Sequence, residues 1–322
     1  MPVSINRGET ATSPSQIPFS GWWDILRRTV KKMLDDNLSL IAAGVGFYFL
    51  LAVFPLLVAF ISIYGLLVSP DELQQHLNQL IGVVPDQGRQ IISQQVERIM
   101  SKSNTALSTG VVFSTLFAVW SASKGAQAMV TACNITYGQN QNRGFLMMLV
   151  MRVLLTASAV MLLVAALFTI AVLPILFSYV GLHHYASILV QWLTWPFLAL
   201  VFNLALSAFY RYGPHRSTAK WRWVTPGSLL ASTLWVAFSF AFSFYLGQFG
   251  QYDKMYGSLG SVVVLLMWFY LTAYIILLGA EFNAAMEHQT EKDSTHGHDK
   301  AQGNRGAHVA DTRPDDLKEK ED

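Results

Sequence analysis

Charged residues are scarce in this chain, and their distribution says more than their number. Only 13% of positions are Asp, Glu, Lys or Arg, about half the share of an ordinary soluble domain. Five stretches have none: 37–70, 103–123, 153–210, 223–252 and 255–280. Each reaches the roughly 20 residues that a helix needs to cross a hydrocarbon core about 30 Å thick. That excludes the one or two soluble domains that 322 residues would otherwise suggest. Cysteine is nearly missing too. Cys133 stands alone, so no disulfide closes within the chain and the redox compartment is left open. The opening MPVSINRGETATSPSQIPFS lacks the apolar stretch of a signal peptide, which leaves the first span to direct insertion. The H-E-x-x-H, G-x-S-x-G, P-loop and paired-cysteine patterns are absent as well. Without a nucleophile–base pair or clustered ligands, the expectation is a chain that is not an enzyme and uses neither metal nor cofactor. A net charge of +2 gives no reason to expect a nucleic acid partner.

What the chain does have is apolar helix. The run 153–210 accommodates two crossings, with Gly181-Leu182-His183-His184 as the turn. Six spans result: about 39–67, 106–131, 145–176, 186–209, one starting at Pro226-Gly227, and 256–287. The expected fold class is therefore all-α, a polytopic membrane protein with six transmembrane helices. The loop before span 5 carries Arg211, Arg216, Lys220 and Arg222, and the segment before span 1 carries Arg27, Arg28, Lys31 and Lys32. The loops at 178–186 and 248–256 hold only Lys254. Basic charge in short loops marks the cytoplasmic side, so both termini are placed there. Residues 1–38 divide into a disordered start and a basic amphipathic helix N-capped by Ser20, which lies on the membrane surface or packs on its own protein. Residues 39–286 form the membrane domain, with 69–105 as an extracytoplasmic helical hairpin opened at Ser69-Pro70. Residues 287–322 are charged, low in complexity and expected to be disordered.

Polar residues inside the spans are the candidate site. The stretch YGSLGSVVVLLMWFYLTAYIILLGAEFNAAME places Tyr270, Tyr274 and Glu281 on one helix face. On span 2, Trp120, Lys124, Gln127, Thr131 and Asn134 follow at steps of four and three. Lys124 either snorkels to water or pairs with an acid. Arg152, an unusually deep cation in span 3, is another partner for Glu281. Asp36 and Asn134 belong near the mouth of such a cluster. Pro55 and Pro196 each remove a helix hydrogen bond and kink spans 1 and 4. Ala42 with Gly46, and the row Gly110, Ser114, Ala118, Ala122 and Ala126, allow close helix contact. The expected partners are membrane lipids, an unidentified solute and a second copy of the chain. A scaffold whose buried charges only lock helices together is the competing reading.

Several segments together resemble a known family: Asp36 followed by AAGVGFYFLLAVFPLL, Trp120 with SASKGAQAMVTACNITYG, FYRYGP before the TPG of span 5, and the whole of span 6. Over about residues 20–287 the chain is similar to the YihY/BrkB family of bacterial inner-membrane proteins. The resemblance implies six helices in the cytoplasmic membrane and no established activity. It also brings two inherited labels, a virulence or serum-resistance factor and a ribonuclease.

Overall fold

The computed structural model describes residues 7–67, 104–139, 150, 153–154, 183–248 and 258–312. Apart from a few positions, the expected third span and the 69–105 hairpin lie outside the described residues. The described chain is helical: α1 Phe19–Asp35, α2 Leu38–Leu67, α3 Asn104–Thr136, α4 His183–Tyr212, α5 Trp221–Gln248, α6 Ser258–Glu287 and a short α7 His308–Asp311. An isolated bridge, Ala219 to Thr295, is the one β contact among the described residues. The helices fall where charge is missing, because in hydrocarbon each backbone N–H and C=O must be satisfied within its own segment. Among the described residues, three helical stretches are apolar and long enough to cross a membrane: Leu38–Pro55, Trp221–Leu246 and Val262–Glu287. On α2 and α5, Leu40, Phe47, Leu51, Leu229, Phe240 and Phe244 face outward, as lipid-facing helices require. Helix α6 differs, being buried from Gly279 to Glu287. Pro55 and Pro196 sit inside α2 and α4, which continue past them.

The chain divides into two compact units, one of residues 1–43, 129–245 and 272–322, the other of 44–128 and 246–271. In the second unit, glycine lets backbones meet. A Cβ added to Gly46 would lie 2.9 Å from Tyr270 N, so α2 and α6 pack main chain to main chain. Gly125 of α3 faces the ring of Phe49, and Phe49 meets Phe269 edge-on at 6.0 Å. The close approach expected at Gly46 is borne out. On α3 the buried phase is Ser121, Gly125 and Met129 rather than Ala122 and Ala126. Ser121 and Gly125 are as small as Ala122 and Ala126, and it is Gly125 that meets the ring of Phe49.

In the first unit, α4, α5 and α6 cross at two glycines. A Cβ on Gly227 would come 2.2 Å from Gly279 O, and one on Gly279 would come 2.6 Å from Gly227 O and Tyr210 Oη. Asn283 clasps the crossing: its Oδ1 accepts from Gly227 N at 2.8 Å and its Nδ2 donates to Val224 O at 2.9 Å. Tyr210 donates to Ile276 O at 2.6 Å, and Asn203 donates to Ser232 Oγ at 3.1 Å. Helix α5 begins at Trp221, five residues before the proline expected to open it.

Helix α1 corrects one expectation. It starts at Phe19 with Pro18 as its cap, and the first turn closes by Trp22 N donating to Pro18 O, so Ser20 is not the N-cap. Its inner face, Gly21, Ile25 and Thr29, is buried. Ile25 joins Phe282 and Met286 in one core, and Trp22 stacks on Phe282 at 5.9 Å. Its outer stripe, Phe19, Trp23, Leu26, Val30 and Leu34, is exposed. The helix therefore packs on its own protein and still presents an apolar face. The disorder expected of the tail is likewise corrected for 288–312. His288, Gln289, Thr290, Asp293, Ser294, Thr295 and Arg305 are all buried there.

The glycine crossing predicts an asymmetry. Gly279→Ala forces a Cβ against a carbonyl and lowers the stability of the solubilised protein by about 1–3 kcal/mol. Gly44→Ala, with nothing within 4 Å of the new Cβ, leaves stability unchanged or raises it by up to about 1 kcal/mol. Thermal unfolding in detergent checks both.

Candidate functional site

The site begins with the break between α1 and α2. Asn37 has φ 50, the left-handed region that Asn tolerates better than most residues. Asp36 N donates to Lys32 O and Leu40 N to Asn37 O, so one helix ends and the next starts within two residues. This turn fixes Asp36 beside Lys32, whose Nζ lies 3.5 Å from Asp36 Oδ2. Arg28 ties the helix to the end of α6 by donating to Ala285 O at 3.0 Å.

Glu281 on α6 is fully buried, and among the described residues neither of its carboxyl oxygens has a hydrogen-bond partner. The charges acting on it are Asp36 and Lys32 of the α1 segment, with Thr136 of α3 alongside. Thr136 spends its hydroxyl on Ala132 O at 3.2 Å. A carboxyl group in such a place is costly to keep and marks function or pairing.

Six residues on, Glu287 has the opposite surroundings. Arg216 grips it with two bonds, Nη2 to Oε1 at 2.6 Å and Nη1 to Oε2 at 3.0 Å. Both side chains are wholly buried. Ser294 donates to Oε2 at 2.7 Å, and the guanidinium lies 4.3 Å from the Tyr137 ring centroid. Burial alone would lower the pKa of Arg216, but the charge of Glu287 outweighs it and the net shift is upward. Burial holds the Tyr137 phenol well above its ordinary range.

The tail folds around this pair with polar devices of its own. Asp293 accepts from Thr295 N, Thr295 Oγ1 and Lys300 N at 2.7–2.8 Å. Arg305 donates to Ala310 O and Glu291 O, both at 2.6 Å. Asp311 gathers the amides of Gly303, Arg305 and Gly306. The loop after α4 then pairs with the tail, Ser217 N to Gly306 O, Lys220 N to Ser294 O and His296 N to Thr218 O. A cavity of about 500 Å³ opens between them, lined by Gly138, Gln139, His215, Arg216, Ser217, Gly306, Ala307, His308 and Asp311. The N-terminal segment closes another side, with Gln289 Nε2 donating to Arg7 O and Glu291 N to Glu9 O, both at 2.8 Å.

The residues singled out from sequence separate. Asp36, Asn134, Tyr274 and Glu281 belong to the first unit, Lys124, Gln127 and Tyr270 to the second, and Arg152 lies outside the described residues. Asn134 accepts from His215 N at 2.6 Å, anchoring the basic loop. Arg216, Glu287 and Ser294 were missed as site residues. Arg216 and Glu287 are 71 positions apart, and no local pattern links them; the one available signal was an acid at the end of an apolar helix facing a basic loop.

The sequence profile described as "Virulence factor BrkB" matches residues 29–304. A Bacillus subtilis protein named ribonuclease-like, YfkH, is 30% identical over 262 residues, covering 78% of this chain and 90% of its own. A UPF0761 membrane protein of Stenotrophomonas maltophilia is 36% identical over 87 residues, 27% of this chain and only 20% of its own. A Xanthomonas campestris UPF0761 membrane protein is 39% identical over 77 residues, 24% of this chain and 18% of its own. No solved structure matches.

Two outcomes follow. Arg216→Met leaves Glu287 buried and unpaired and costs about 3–5 kcal/mol, while Arg216→Met with Glu287→Leu recovers most of it; a thermal double-mutant cycle reads this directly. Asp293 is held below the usual carboxylate range: partial burial works the other way, but the amide of Lys300, both donors of Thr295 and the charge of Arg305 prevail. Its contribution is present above the ordinary Asp value of about 4 and is lost as pH falls through the depressed folded value. Limited proteolysis of the tail therefore accelerates in acid, and Asp293→Asn accelerates it at neutral pH.

Proposed function

The chain belongs to the BrkB virulence factor family of multi-pass membrane proteins, and on that premise we propose that it moves a small or amphipathic solute across the bacterial cytoplasmic membrane. In this reading it has six spans, both termini are cytoplasmic and it is not an enzyme. The observation that carries it is Glu281: an ionisable group, fully buried on an apolar helix, with no donor to either oxygen among the described residues. Structural acids are paired, as Glu287 is; an unpaired one within a span is kept for what it binds. An anionic solute is the first to try. Arg211, nearly buried with its guanidinium over the Trp221 ring at 4.7 Å, adds to the cationic character of the adjoining loop. The ribonuclease-like name belongs to the Bacillus protein, and the acids and bases gathered most closely here, Arg216 and Glu287, are spent on each other.

A scaffold is the second reading, favoured by that same satisfied ion pair, which holds segments together and leaves nothing free to react. Liposomes separate the two. With a trapped anionic fluorophore, the wild-type chain speeds release over empty vesicles. Glu281→Gln cuts that release by about tenfold or more while its thermal stability is unchanged, as expected when only an intramembrane carboxyl is altered. If anionic, zwitterionic and amphipathic probes all stay trapped and a soluble protein co-purifies, the scaffold reading replaces transport.

A further inference from the structure

We propose that Glu281 and Asp36 form a proton-binding site, in which the two carboxyl groups share one proton, Lys32 balances the charge left on Asp36, and exchange with water runs through Asp36. The argument starts from unpartnered atoms. Both oxygens of Glu281 and Oδ2 of Asp36 lack a hydrogen-bond donor, yet the two groups lie within hydrogen-bonding reach of each other. Two ionised carboxylates at that range repel in a dry site and leave these atoms unsatisfied. One proton between them turns the same atoms into an O–H···O⁻ bond, among the strongest hydrogen bonds available to side chains.

Among the described residues, the nitrogen and hydroxyl donors placed around Glu281 are engaged elsewhere. From the α1 segment come Asp36 and Lys32, and Lys32 is directed to Asp36 at 3.5 Å. Arg28 of that helix donates to Ala285 O. From α3 come Thr136, committed to Ala132 O, and the buried thiol of Cys133. On α6 itself, Asn283 serves Gly227 and Val224, and Glu287 is held by Arg216 and Ser294. With one shared proton, the set of Glu281, Asp36 and Lys32 is electrically neutral, the only state that burial tolerates cheaply. Access is one-sided. The side chains of Lys32 and Asp36 are 30% and 20% exposed, whereas Glu281 has no exposed surface. The Asn37 turn holds Asp36 at this opening.

The site stands on these contacts alone. Its consequence, that solute movement is linked to protons, rests on the transport reading. A carbodiimide that partitions into membranes reacts with protonated carboxyls, so the purified full-length chain in lipid vesicles is treated across about pH 6 to 9, the range in which a shared carboxyl proton is released. The expected result is an adduct at Glu281 at neutral pH that declines as pH rises, mapped by mass spectrometry and absent from Glu281→Gln. Asp36→Asn shifts that decline to lower pH, because the repulsion favouring the proton is gone. No adduct at Glu281 at any of these pH values in folded wild-type protein overturns the site, as does a pH profile that Asp36→Asn leaves unmoved. A pH-sensitive dye inside the same vesicles, under an imposed pH gradient, reads the linkage. Adduct with proton entry supports both proposals. Adduct without proton entry keeps the site and overturns the linkage of solute movement to protons, and proton entry without adduct overturns the site.

Discussion

The buried pair of Arg216 and Glu287 is the constraint around which the first unit is organised. Moving two charges out of water costs more than their attraction returns unless the remaining donors and acceptors are also satisfied. Here two bonds join them, Ser294 supplies a third to the carboxylate, and the Tyr137 ring faces the guanidinium. The three elements that meet this demand come from distant parts of the chain: the end of α6, the loop after α4 and the tail. Once the pair is formed, the tail must stay, because its departure would strip Ser294 from the carboxylate and let water reach the cluster. The tail's internal caps on Asp293 and Asp311, with positive φ at Gly297, Gly303 and Gly306, make the sharp turns that keep it in place.

That arrangement throws Glu281 into relief. The same helix carries two fully buried carboxyl groups six positions apart, and they are treated in opposite ways. One has a bidentate arginine, a hydroxyl and an aromatic face. The other has two oxygens with no donor and, as its charged neighbours, an acid and a lysine already turned toward that acid. A fold built only for rigidity has no need of the second group, since an apolar residue of similar volume would fill the space without its desolvation cost. The proposed transport role rests on the difference between the two acids.

Much of the fold was legible, and the reason is simple. In a membrane protein the missing charges outline the helices, so α2, α3, α4 and α6 fall close to the spans expected from them. Where the outline failed, a different physics was at work. Helix α5 starts before Pro226 because Trp221 and Arg222 continue it back beyond the apolar run. The tail has no apolar periodicity to reveal it; its order comes from carboxylates capping amides and from Arg305 gathering three carbonyls. The site was legible in its residue but not in its company. Glu281 stood out as an acid in an apolar helix, whereas its neighbours depend on α1 folding back onto α6 through Trp22, Ile25 and Arg28. Nothing local in the sequence decides whether a basic amphipathic helix lays its apolar face on the membrane or on the protein.

The central claim is that loop, tail and helix ends form one dry, ordered unit around Arg216 and Glu287. Amide hydrogen exchange on the full-length chain in lipid discs tests it most directly, at Ser217, Lys220 and His296, whose N–H groups bond across the loop and tail. The account predicts protection at these amides comparable to that of the helix ends they join, lost together when Glu287 is replaced by Ala. Exchange at the rate of an unfolded peptide in the wild-type chain would contradict it.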